Sequence, residues 1–329
     1  MTREKSKRFV FSSVLIGLNL EALKICVPDS GLAKAFLSLW FFFIISTLGA
    51  DRPYDSAFWK SIRAHDFAVP PGESADKLVL EIVNLAADPD PAVRDDCGYE
   101  ILADWIYKKN LVSAETLEAV RRKLIPGMTY HIGESDNPTV LRRSFSALYM
   151  SIVAARDLRE PFLSESAFGE TLATALTCYA KERDLRGYVA GNGWAHATAH
   201  MADLLKFLGR SQQLKTTDQA RIIRAIQQRC RSAPSVFVWG EDARIAAALT
   251  SIVMRKDFDP SGFDPWFKAL NAENKELWKT TPLDTAAYVH VRAQSNVLTQ
   301  LAARLGALPN DAVPQAFRTA LNTTLTEVN

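Results

Sequence analysis

The run GYVAGNGWAHATAHMAD, residues 187–203, places His196, His200 and Asp203 at i, i+4 and i+7. On a helix that spacing puts all three within an arc of about 40°, on one stripe. Two imidazoles one turn apart can reach a single ion, which makes His196 and His200 candidate ligands of a divalent transition metal. The rise from 196 to 203 is about 10.5 Å, so Asp203 is better placed to orient His200 than to share that ion. A metal site also needs a ligand from another element. Glu241 and Asp242, in the run WGEDARIAAAL, are the preferred donors, with His131 and His290 as further ones. Without a metal, His196, His200, Asp203, Glu241 and Asp242 form a candidate catalytic set in which one histidine acts as a base. A third reading needs no chemistry, because an HxxxH pair with an acid one turn on also makes a buried hydrogen-bonded network that fixes helix packing.

Three glycines, Gly187, Gly191 and Gly193, precede this stripe within seven residues. Glycine admits positive φ and close backbone approach, so the segment is expected to fold tightly against a neighbour or a ligand. Arg186, Gly187, Tyr188, Asn192 and Trp194 are accordingly the candidate ligand-binding residues. Trp194 is read in two ways, as a core anchor or as a stacking platform. Elsewhere, Asp96, Glu100 and Asp104 make an acidic stripe at i, i+4 and i+8 that Arg142 and Arg143 could answer across a helix pair. No phosphate loop, nucleophile elbow or dinucleotide fingerprint is present.

The elements that must position these residues are helices. From Asp51 onward apolar residues recur at helical spacing, and no run alternates as a strand does. Asp90-Pro91, Asn137-Pro138, Asp264-Pro265 and Thr281-Pro282 each set a capping side chain before a proline that suits the first helical turn. Helices are expected near 55–65, 74–87, 91–109, 113–125, 138–156, 164–182, 192–209, 217–231, 241–255, 264–278, 283–304 and 312–326. Short connections make neighbours antiparallel. Pairs of roughly 40 residues predict an all-α fold of helical hairpins stacked as a HEAT-like α/α superhelix, with a closed α/α toroid as the alternative.

Composition narrows the class. With 48% hydrophobic and 23% charged residues, the chain is globular rather than disordered. Of 39 basic and 37 acidic groups, residues 1–50 hold six and three, leaving 33 and 34 in the body. A near-neutral body excludes a nucleic-acid footprint, which needs a concentrated basic face. Two apolar runs, Phe9–Leu20 and Ala35–Leu48, mark residues 1–50 as an export leader or a membrane anchor. Lys34 precedes the second run, and Thr47, Gly49 and Ala50 offer small residues for cleavage. Residues 51–329 then form a single helical-repeat domain outside the cytoplasm, touching a membrane only through an uncleaved N-terminal segment. Cys97, Cys178 and Cys230 lie in no CxxC pair and are expected to be buried free thiols.

RDDCGYEILADWI (94–106), LRRSFSALYMSIVAARD (141–157), DLRGYVAGNGWAHATAHMADLL (184–205) and GEDARIAAAL (240–249) resemble the bacterial domain-of-unknown-function family 2785. The likeness spans roughly residues 75–305. It implies a helical, HEAT-like body and groups Arg186, Trp194, His196, His200, Asp203, Glu241 and Asp242 in one constellation. It supplies no activity, and Asn192 stands where that family usually carries lysine. GNGW is also similar to the RGNGW segment of unsaturated-uronyl glycoside hydrolases, an analogy over a few residues. The function expected is a ligand pocket around residues 187–203 that takes a small molecule, glycan or peptide. A metal-dependent or glycan-directed hydrolase using His196, His200 and Asp203, and a purely structural or protein-binding scaffold, are the alternatives.

Overall fold

The computed structural model describes residues 54–328. The leader or anchor expected over residues 1–50 lies outside them. Several helices begin where the sequence supplies a capping side chain. Asp55 accepts from Phe58 N to start α1 (Ser56–Ala64), and Ser74 from Lys77 N to start α2 (Ala75–Ile82), which tightens into a 3₁₀ turn at Val83–Ala87. Asp90 caps α3, with Pro91 in its first turn. This helix is composite: Pro91–Val93, a π-helical Arg94–Tyr99, Glu100–Leu102 and a second π-helical stretch, Ala103–Lys108. Ser113 caps α4 (Ala114–Met128), and Ser164 caps α6 (Glu165–Lys181). Between them lies α5 (Thr139–Arg159), buried on every side from Val140 to Ile152 and beyond except at Arg142. The chain continues through α7 (Ala197–Leu208), α8 (Thr216–Arg231), α9 (Glu241–Val253), α10 (Asp264–Leu277), α11 (Thr285–Gly306) and α12 (Gln315–Val328). The start foreseen at Thr281-Pro282 belongs instead to Asp284, whose carboxylate accepts from Ala286 N and Ala287 N.

The protein is all-α, and its helices form two rows. Helices α5, α7, α9 and α11 pack side by side in chain order, while α4 packs on α5, and α6 packs on α7 and α8. That arrangement is shared by open α/α superhelices and closed toroids. The row α5–α7–α9 is parallel. The start of α7 meets the start of α5 through Ser144 and Ala195, and the start of α9 through His196 and Trp239. Near the far end, a Cβ built at Gly209 would lie 3.4 Å from Ile252 Cγ1, near the end of α9. Ala199 and Ala202 are fully buried in α7, where their small side chains let neighbours approach closely.

The expectation of no strands fails at one place. The segment 187–194, foreseen as a loop opening into a helix from 192, is a β-hairpin. Tyr188–Val189 pairs antiparallel with Gly193–Trp194. The ladder is extended by Ala195 N donating to Gly187 O at 2.8 Å and His196 N to Arg186 O at 2.9 Å. A two-residue strand is too short for hydrophobic alternation to register. The signal was the glycines: Gly191 and Gly193 both adopt positive φ, +83° and +72°. Cys97, Cys178 and Cys230 are buried free thiols, as expected.

Candidate functional site

The hairpin is held from behind by buried charge. Arg143 donates Nε–H to Glu182 Oε2 at 2.8 Å, and both side chains are almost completely buried. Glu182 in turn accepts from Arg183 N and Asp184 N, fixing the linker into the hairpin. Asp184 receives Arg186 Nη2 at 2.6 Å, and Arg186 also donates to Asn137 O at the head of α5. Arg143 and Arg142 therefore do not answer the acidic stripe on α3. Asp96 and Glu100 pair with Arg63, Asp104 pairs with Lys109, and the Arg142 guanidinium lies over the Tyr130 ring. The hairpin tip docks on α3. Arg94 Nη2 donates to Asn192 O, and a Cβ at Gly193 would lie 2.7 Å from Pro91 Cβ.

Alternation along the hairpin sends its side chains to two faces. Val189 turns toward α5 and, with Arg186, Asn192 and Ala195, lines a cavity of about 210 Å³. Tyr188 and Trp194, directly opposed across the ladder, share the other face, with ring centroids 5.5 Å apart and edge to face. Trp239 joins them from the loop before α9, its centroid 6.0 Å from that of Trp194. It can do so because Gly187 lacks a side chain: a Cβ there would lie 2.1 Å from Trp239 Cγ. The three rings are 54%, 37% and 44% exposed, respectively. Trp194 is thus an exposed surface ring rather than a core anchor.

Beneath this shelf a file of rings runs into the core. Trp194 stacks on His196 at 4.9 Å and 27°, His196 meets His200 at 5.6 Å, and His200 meets Phe145 at 5.0 Å. The Arg94 guanidinium closes the file, 4.5 Å over Phe145. His196 is not on the helix with His200, as the i, i+4 spacing predicted. It is the N-cap of α7, in the left-handed region at φ 49°, ψ 33°. A non-glycine residue there costs about 1–2 kcal/mol, so its position is imposed by surrounding contacts.

Hydrogen bonds fix both tautomers. His196 Nε2 lies 3.0 Å from the Trp239 carbonyl, which can only accept, so Nε2 carries the proton and Nδ1 keeps a lone pair. Ser144 Oγ donates to the Ala195 carbonyl, so His200 Nδ1–H donates to Ser144 Oγ at 2.7 Å and Nε2 keeps its lone pair. Burial holds both imidazoles below the usual histidine range, His200 far below it, so both are neutral at pH 7.

Asp203 does not orient His200. Its oxygens take Arg244 Nη1 at 2.6 Å and Lys206 Nζ at 3.3 Å. Of the two acids on α9, Glu241 is buried beside His196 and accepts from Trp239 N at 2.9 Å, bracing the indole's backbone. Asp242 accepts from its neighbour's Ala243 N, and its charge bears on the Cys230 thiol instead of on the histidines. His131 pairs with exposed Glu134, and His290 lines a separate cavity with Glu273 and Asp284. Among the described residues no three His, Cys, Asp or Glu side chains come together as a metal site. His196 and His200 would need a further ligand from elsewhere to hold zinc.

Ser144, Phe145, Trp239 and Arg244 join the site unannounced by spacing. For Trp239 the available signal was a large aromatic directly before Gly240 at a helix start. Burial raises the Asp95 carboxyl and the Tyr99 phenol, and Asp203 adds to the shift of Tyr99, which places that side of α3 next to α7.

A family described as "Protein of unknown function (DUF2785)" matches residues 128–302, more than half of the chain and all of this site except α3, and the chain belongs to that family. No curated protein and no solved structure matches it.

Proposed function

We propose that this member of the family is a binding protein that holds a sugar ring of a glycan against the shelf of Tyr188, Trp194 and Trp239. One observation carries the reading: His196 supports both exposed indoles at once, stacking under Trp194 and bonding to the carbonyl of Trp239. A strained, neutral histidine and a buried carboxylate are thereby committed to holding large apolar rings in water. Folding alone has no use for that arrangement, since exposed aromatics are more stable buried. A ligand that covers the rings does. The flat C–H face of a pyranose suits an indole face, and its hydroxyl edge suits the polar groups around it. The export expected from the N-terminal segment would bring such a protein to extracellular glycans.

Titration of intrinsic tryptophan fluorescence with glucose and glucuronic acid oligosaccharides tests the reading. Trp194→Ala is expected to weaken binding at least about tenfold while shifting the melting temperature little. An equal loss of stability and no change in binding would make the ring a structural element and overturn the proposal. A hydrolase on the same shelf is favoured by the bare Nδ1 of His196 under Trp194, and product analysis of the same oligosaccharides separates it from a binder.

A further inference from the structure

The helix that follows Trp239 carries a charge that the aromatic rings do not require. Arg244 stands in the first turn of α9, its backbone N–H bonded to Gly240 O, five residues after Trp239 and three after Glu241. One guanidinium nitrogen is pinned to buried Asp203 at 2.6 Å, yet the side chain remains 52% exposed. Its Nε and Nη2 hydrogens meet no other described residue, and a planar guanidinium with donors to spare binds carboxylates and sulfates through paired hydrogen bonds.

The acidic groups around it are engaged elsewhere or shared. Asp203 is shared with Lys206, so two cations serve one carboxylate. Glu241 is buried and accepts from Trp239 N, and Asp242 accepts from Ala243 N. The starts of α5, α7 and α9 meet at this end of the row, and their helix dipoles add positive potential. Arg244 also lies close enough to His196 and His200 to lower the proton affinity of both, which places it beside the ring file.

We infer that the glycan taken by the shelf is acidic, with its anionic substituent received by Arg244 while the ring face lies on Trp194 and Trp239. The inference rests on the binding reading above and narrows it to one ligand class. It assigns Arg244 as a specificity residue and Asp203 as the residue that positions it.

The test compares three probes of equal length: oligosaccharides of glucuronic acid, of glucose and of sulfated glucose. Binding to wild type, Arg244→Gln and Arg244→Lys is followed by tryptophan fluorescence, with melting curves recorded in parallel. Wild type is expected to prefer an acidic probe over neutral glucose by about tenfold or more at low salt, with the preference shrinking as salt rises. Arg244→Gln should abolish the preference yet retain neutral binding, and Arg244→Lys should keep part of it because charge remains but the paired geometry is lost. The uronate and sulfate arms show which anion fits. Equal affinity for acidic and neutral probes in wild type would overturn the inference and leave the shelf reading intact. Absence of binding to all three probes would overturn both. Should Arg244→Gln melt early, Arg244→Lys carries the comparison.

Discussion

The two histidines differ in what they do although the sequence presents them alike. His200 is sealed between Phe145 and Ser144, where its single proton is assigned by a hydroxyl already committed to a carbonyl. His196 sits at the boundary and ties two indoles to the start of α7. Both are kept neutral by burial. An unfolded histidine takes up a proton near pH 6.5, whereas these two resist it until lower pH. The unfolded chain thus binds more protons as pH falls, and stability present above about pH 6.5 is lost below it. Melting temperatures at pH 7.5, 6.5 and 5.5 should fall with pH in the wild type. His200→Phe, which cannot protonate, should flatten that slope, and an unchanged slope would show that the acid sensitivity arises elsewhere.

At the scale of elements, the hairpin is the part with the least regular structure and the most external support. Its base is held by Arg143, Glu182, Asp184 and Arg186, and its tip by Arg94 and the close approach of Gly193 to Pro91. Gly193→Ala meets both a positive φ and a Cβ contact of 2.7 Å, whereas Gly191→Ala meets only the φ. The first is expected to cost about 1–3 kcal/mol and to lift the tip from α3, with faster hydrogen exchange at Ala195 N. The second should cost the backbone strain alone, about 1–2 kcal/mol, and leave exchange at Ala195 nearly unchanged. Equal behaviour of the two variants would mean that the tip does not depend on its contact with α3.

At the scale of the molecule, the same polar frame joins the rows. Arg143 reaches from α5 to Glu182 and to the carbonyls of Tyr130, His131 and Glu134. Arg229 reaches from α8 to the Glu182 carbonyl and to Thr198 on α7. Removing one partner of a buried ion pair leaves the other charged and unpaired, which costs about 3–5 kcal/mol. Arg143→Ala should therefore lower unfolding free energy by that amount in denaturant titrations. A cost below about 1 kcal/mol would show that water replaces the guanidinium and that the frame is not structural.

Much of this was legible in the chain itself. Apolar spacing and Asp, Ser and proline caps placed the helices within a few residues, because periodic burial and local hydrogen bonds are written in neighbouring positions. The glycines at 187, 191 and 193 marked the hairpin segment, and Tyr188 and Trp194 stood out as candidate ligand-binding residues. What the sequence withheld is how the pieces face each other. Helical arithmetic put His196, His200 and Asp203 on one stripe, but the left-handed cap at His196 breaks that periodicity. Each of the three then takes a partner from a different helix or loop: Trp239, Ser144 and Arg244. Those partners lie more than forty positions away, and only the packing of α5, α7 and α9 at their common end brings them together.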